Sequence, residues 1–167
     1  MFDITILTDH RYINPPKIDW YVQQVLDEDC LLQEELEKKG LKVCRKDWAD
    51  KDFQWEKTKY AIFRTTWDYF ERFEEFFSWI EKTKHKTKFI NSIDIINWNI
   101  DKYYLEELER KGVNIAPSIF IKKGDTKTLR QLFIETQWKE AVIKPTISGA
   151  ARHTYRVNQN NITEYEE

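Results

Sequence analysis

Residues 60 to 65 read YAIFRT, apolar at successive positions rather than at alternate ones. A strand covered on one face alternates; one that is apolar throughout is covered on both, as in parallel sheets wrapped by helices. Three more short runs, FDITIL (2–7), LKVC (41–44) and KFIN (88–91), have the same character. Between them lie helical patterns. Leu31, Leu32 and Leu36 mark a helix face from Asp27 to Lys39, and Gly40 fits its left-handed stop. YFERFEEFFSWIEKT puts Phe70, Phe73, Phe77 and Ile80 on one stripe at helical spacing, which reads as core packing. The order strand, helix, strand, strand, helix, strand predicts a small doubly wound parallel α/β unit, whose ligands sit beyond the carboxyl ends of its strands.

The pattern then changes. NIDKYYLEELERKG (99–112) reads as a capped helix ending at Gly112, PSIFIKKGD as a strand, TKTLRQLFIET as a helix, and EAVIK and RHTYRV as two strands. The seven-residue connection makes that last pair antiparallel. We therefore expect a boundary between Asn91 and Asn97, with a doubly wound unit over 1–92 and a partial α+β unit over 93–167.

Composition narrows the function. Hydrophobic residues are 41% and aromatics 15%, enough for a core in each unit. The 27 basic and 29 acidic residues leave a net charge of -2, without the basic face that duplex binding requires. Nucleic acid is not an expected partner. No apolar run approaches the roughly 18 residues of a spanning helix, so no membrane is expected either. Asp3 and the lack of a basic flank argue against a signal peptide. Cys30 and Cys44 are isolated, which suits a reducing cytoplasm, and His10, His85 and His153 are too scattered for a zinc site.

VIKPTISGAARHT (142–154) ends an apolar strand on Lys144 and follows it with small residues. Ser148, Gly149, Ala150 and Ala151 let a ligand approach the backbone, whose N–H groups can form an anion nest, while Lys144 supplies a compact positive charge. The alternative is an exposed hairpin turn with a solvated lysine. Lys102, in WNIDKYYL, falls in the first turn of the expected helix, where a cation is mildly disfavoured. It is either a surface lysine beside an Asn99 cap or a second cation for a polyphosphate.

INSIDIINWNIDKYYLEELERKGVNIAPSIFI followed by AVIKPTISGAARHTYRV resembles the ATP-grasp superfamily of carboxylate-activating ligases. DED (27–29), KDWAD (46–50) and FRTTWDY (63–69) look like the branch that holds glutathione-synthetase-like proteins and the cyclo-ligase of cycloserine biosynthesis. The resemblance implies a pre-ATP-grasp domain followed by the first ATP-grasp subdomain. It implies ATP held by Lys102 near the α-phosphate and by Lys144 nearer the other phosphates and the adenine. Ser148, Gly149 and Ala150 would form the loop that closes over the β- and γ-phosphates. Magnesium would bridge phosphate oxygens, with its ligands beyond Glu167. Thr8, Asp9, Arg64, Thr65, Trp67 and Asp68 would face an acceptor, and the implied partners are a small-molecule carboxylate and an amine. The implied reaction passes through an acyl phosphate.

For Arg64 two readings stand: a fork for a substrate carboxylate, or a scaffold pair with Asp68 or with Asp27 to Asp29. Trp67 and Tyr69 read as packing residues, and Trp98 as a wedge at the domain junction. The family continues past Glu167, so this chain alone is expected to be inactive, to bind ATP weakly and to self-associate through exposed apolar surface. The rival from another class is a non-catalytic α/β module that binds an acidic metabolite or protein at the Arg64 edge.

Overall fold

The computed structural model describes residues 1–166. The chain divides into two compact units, Met1–Asn97 and Trp98–Glu167.

The first unit is built on four parallel strands, β1 (Phe2–Thr8), β2 (Val43–Asp47), β3 (Thr58–Thr65) and β4 (Lys88–Ile90), in the order β2-β1-β3-β4. Helices α1 (Trp20–Lys38) and α2 (Phe73–Thr83) accompany it. The mixed α/β class read from the apolar runs is thus present. Helix α1 begins seven residues before the expected Asp27, because Asp19 caps it by accepting from the Val22 N–H at 2.9 Å. Gly40, at φ +80°, ends it as expected.

The α2 stripe also needs correction. The residues it buries are Phe76, Ile80 and Thr83, whereas Phe77 is exposed and stacks on Phe73 at 6.2 Å. Phe70 precedes the helix. Both stripes have helical spacing, and only the aromatic partners choose between them. Trp48 meets Phe76 at 5.0 Å and Trp79 at 5.7 Å, and Trp79 meets Trp55 at 5.2 Å. Trp55 and Trp79 cluster with Leu7, Ala61, Phe63 and Phe89, and the Trp48, Phe76, Trp79 and Trp55 contacts above include the edge-to-face geometry that ring quadrupoles favour.

The second unit departs further from expectation. The helix expected over 99–112 is confined to α4 (Tyr104–Arg110); a separate helix, α3 (Ile93–Asn99), precedes it, with Lys102 in the turn between them. Asn99 therefore ends α3, and Tyr103 takes the cap position of α4. Gly112 does stop α4, at φ +82°. PSIFIKKGD is not a strand: it pairs with no other segment among the described residues, and Ile119 and Ile121 are exposed. Apolar β-branched composition favours an extended chain, but a strand needs a ladder partner. Helix α5 (Leu129–Thr136) opens with a capping box in which Thr128 and Gln131 satisfy each other's backbone. Strands β5 (Glu140–Ile143) and β6 (Tyr155–Asn158) pair antiparallel as expected. Their inner residues Ala141, Ile143 and Val157 close a small core with Phe133 and Ile162.

Candidate functional site

The carboxyl edge of the parallel sheet carries buried charge. Asp9, Asp29 and Asp68 are exposed by only 0%, 1% and 2%. A buried carboxylate persists only when it is paired and hydrogen-bonded, and each of these has its own arginine. Arg11 grips Asp9 with both ends of its fork, at 3.0 and 2.6 Å. Arg45, from β2, donates Nε to Asp29 at 2.6 Å and Nη1 to the Tyr12 carbonyl. Arg72 donates to Asp68 at 2.9 Å, and the Trp48 indole donates to the same carboxylate at 2.7 Å. These bonds hold the Arg11 and Arg72 guanidinium groups well above the usual arginine range: Asp9 does so for Arg11, and Glu75 followed by Asp68 for Arg72.

A local irregularity shapes this edge. Strand β3 is in register with β1 up to Leu7 opposite Phe63, and then Thr8 lies opposite Thr65. Arg64 is the additional residue. Such bulges redirect a side chain at the end of a strand. The two threonines meet, Thr65 Oγ1 donating to Thr8 Oγ1 at 2.5 Å, and Arg64 is turned outward. Its Nη2 lies 3.1 Å from Glu28 and its Nε 3.7 Å from Asp29 Oδ1, an oxygen with no hydrogen-bond partner among the described residues.

Of the expected acceptor residues, Thr8, Asp9, Thr65 and Asp68 are buried and engaged with one another or with the scaffold, leaving Arg64 exposed and Trp67 partly so. Arg64 makes one of the two scaffold pairings weighed for it, with the acids of α1; Asp68 pairs with Arg72 instead. Trp67 packs against Tyr12 at 5.8 Å and Tyr21 at 6.4 Å. An open cleft of about 310 Å³ adjoins this edge and is lined by His10, Arg45, Lys46 and Asp47 among others. Burial, more than any charge, pushes the Asp47 carboxyl above its usual range. A larger cleft of about 530 Å³, at Lys59, Lys86 and Lys88, holds none of these residues.

Sequence reasoning gave no role to Arg45, Trp48 and Arg72. The signal was present in KDWAD and DED, where acids and a tryptophan end or follow apolar segments, but the pairing is set by the fold.

The second unit brings Lys102, Lys144 and the small-residue loop together. Lys102 Nζ donates to the carbonyls of Thr146 at 3.0 Å and Ser148 at 2.9 Å. Desolvation, and then the neighbouring Lys144 ammonium, lowers the Lys102 pKa from the ordinary lysine value. Lys144 itself is exposed, one residue past β5. Ser148 Oγ donates to the Arg152 carbonyl at 3.1 Å rather than facing outward. Ala150 and Ala151 take φ of +50° and +57°, values at which a larger side chain would be strained. Lys102 gripping the small-residue segment that follows a second, exposed lysine is an arrangement that fits an oligoanion. Among the described residues no three His, Cys, Asp or Glu side chains are grouped to hold a metal.

Trp98, the first residue of the second unit, donates its indole N–H to Glu107 at 2.6 Å and packs on Tyr104 at 5.0 Å. No helix among the described residues is long and apolar enough to cross a membrane.

Comparison with known families gives a match over residues 4–91 to the N-terminal domain of D-cycloserine synthetase DcsG. The chain belongs to that family. This DcsG-type N-terminal domain spans the parallel sheet and its carboxyl edge, and it is the cyclo-ligase branch to which DED, KDWAD and FRTTWDY pointed. The chain is also 32% identical over 107 residues to the cycloserine biosynthesis protein DcsG of Streptomyces lavendulae, which covers 62% of this chain and 35% of that one. Its fold matches the crystal structure of D-cycloserine synthetase DcsG with a TM-score of 0.79 at 24% identity, over 98% of this chain and 52% of that one. The chain thus spans about half, or less, of the DcsG proteins it matches.

Proposed function

We propose that this chain belongs to an ATP-dependent ligase that joins a carboxylate to an amine or related nucleophile through an acyl phosphate. Residues 1–92 serve as the pre-ATP-grasp domain and 93–167 as the first ATP-grasp subdomain. In the proposed reaction a substrate carboxylate oxygen attacks the γ-phosphorus of ATP, and ADP leaves with the electrons of the broken P–O bond. The nucleophile's nitrogen then attacks the acyl carbon. The C–O bond breaks, phosphate departs with its electrons, and the nitrogen loses a proton.

This chain's own share is electrostatic. Lys102 and Lys144 hold two ammonium charges against the phosphates, and Ser148, Gly149 and Ala150 offer a close-fitting backbone. At the sheet edge Arg64, turned outward by the bulge, is the group able to take an acceptor carboxylate, with Trp67 beside it. A small-molecule carboxylate, an amine, ATP and magnesium are the partners of this reading, and association with a second copy accompanies it.

The observation that carries it is the grip of the Lys102 ammonium on the carbonyls of Thr146 and Ser148, in the small-residue segment that follows Lys144. Isothermal titration with ATP and magnesium tests it, comparing the unaltered chain with Lys102→Ala and Lys144→Ala. Each substitution is expected to weaken binding about tenfold or more, as loss of a charge-assisted contact does. Equal affinity in all three would instead favour a binding module working through the Arg64 edge.

A further inference from the structure

Lys102 does not offer a ligand all of its hydrogens. Its ammonium donates to Thr146 O and Ser148 O, and its own backbone N–H donates to Thr146 O at 3.0 Å. Both carbonyls belong to the segment that follows Lys144. From Ser148 the hydroxyl passes a bond onward to the carbonyl of Arg152, whose N–H returns to Gly149 O at 3.0 Å. A continuous chain of bonds therefore runs from the α3–α4 turn through the loop to its far side. An ammonium has three hydrogens; two are taken by the loop, and one remains for an anion.

We infer that Lys102 is a positioning residue for the loop of residues 146–152: its ammonium holds the loop's first carbonyls, and an oligophosphate beside Lys144 tightens that hold. The second half rests on the nucleotide reading above; the first is a property of the ligand-free chain. Tightening follows from charge. Desolvation, and then the Lys144 ammonium, disfavours the charged form of Lys102. An oligophosphate offsets the repulsion between the two ammonium groups, so Lys102 stays on its two carbonyls while its third hydrogen meets the anion. By linkage, a loop already held in place binds the anion more tightly.

Hydrogen exchange followed by mass spectrometry over residues 145–155 tests this. Without ligand, Lys102→Met should raise exchange of the loop amides by about tenfold or more, the factor expected on losing charge-assisted bonds. Lys144→Met should leave it within about twofold, since no loop bond from Lys144 is seen among the described residues. Lys102→Arg, which keeps a donor, should retain protection. With sodium tripolyphosphate the unaltered loop should slow further, and the Lys102→Met loop should not. Equal loop exchange in Lys102→Met and the unaltered chain overturns the hold, as does equal loosening by Lys144→Met. If Lys102→Met also releases β5 and β6, Lys102→Arg decides: retained protection supports the hold, and lost protection ends it. A ligand-free contrast as stated, with no response of the unaltered chain to tripolyphosphate, would remove the nucleotide reading and the tightening while leaving the hold.

Discussion

The indole N–H of Trp48 donates to Oδ1 of Asp68 at 2.7 Å, with the tryptophan fully buried and the aspartate 2% exposed. Trp48 comes from KDWAD and Asp68 from FRTTWDY, so two distant signatures meet in one bond. Arg72 completes it, donating to the other oxygen while its guanidinium lies over the Trp48 ring at 4.6 Å. Trp48→Phe keeps an aromatic ring but removes a donor from a buried carboxylate. The expected loss of unfolding free energy is about 1–3 kcal/mol, read from urea denaturation.

Asp29 holds a second pair. Arg45, 17% exposed, has this carboxylate as its acidic partner at 2.6 Å. Asp29→Ala leaves that guanidinium buried without its counter-charge, and the expected cost is about 3–5 kcal/mol. Glu35→Ala breaks the pair with Lys38, both side chains being more than half exposed. There the change should stay within about 0.5 kcal/mol, because water and side-chain entropy already offset the attraction. Denaturation of the two variants side by side checks the contrast.

Lys102 sets a pH dependence. Its ammonium is disfavoured in the fold, chiefly by desolvation and then by Lys144, so its pKa lies below the ordinary 10.5. Between the lowered value and 10.5 the unfolded chain holds more protons than the folded one. Stability therefore rises with pH across that window. Affinity for ATP should move oppositely, falling as pH rises through the same window because the ammonium is lost. Titrations at stepped alkaline pH, with Lys102→Arg as the variant that stays charged, should show the fall in the unaltered chain only.

Ala151 takes a φ of +57°, where an L residue pays roughly 1–2 kcal/mol that glycine avoids. Ala151→Gly should therefore leave stability unchanged or raise it by up to about 1 kcal/mol, the freer unfolded chain offsetting part of the gain. Ala151→Val should destabilise, since a β-branched side chain fits this region worst. Hydrogen exchange of β5 and β6 reads both effects.

Short-range chemistry was legible in the sequence. Unbroken apolar runs marked the parallel strands, though Tyr60 and Ile90 stay exposed on one face, and glycines at 40 and 112 marked where helices α1 and α4 stop, because only local backbone geometry is involved. Lys102, Lys144 and the small-residue loop could be named for the same reason, as could the family branch from DED, KDWAD and FRTTWDY. What long-range contact governs was not legible. Phe76 rather than Phe77 faces the core because Trp48 and Trp79 wait there. PSIFIKKGD remains unpaired because a strand exists only with a neighbour. Arg64 turns outward because β3 gains one residue on β1, and Lys102 grips the loop because Thr146 and Ser148 lie across from its turn. A residue's own character sets what it can do within a few neighbours; which partner completes it depends on segments tens of residues away, and only folding brings those together.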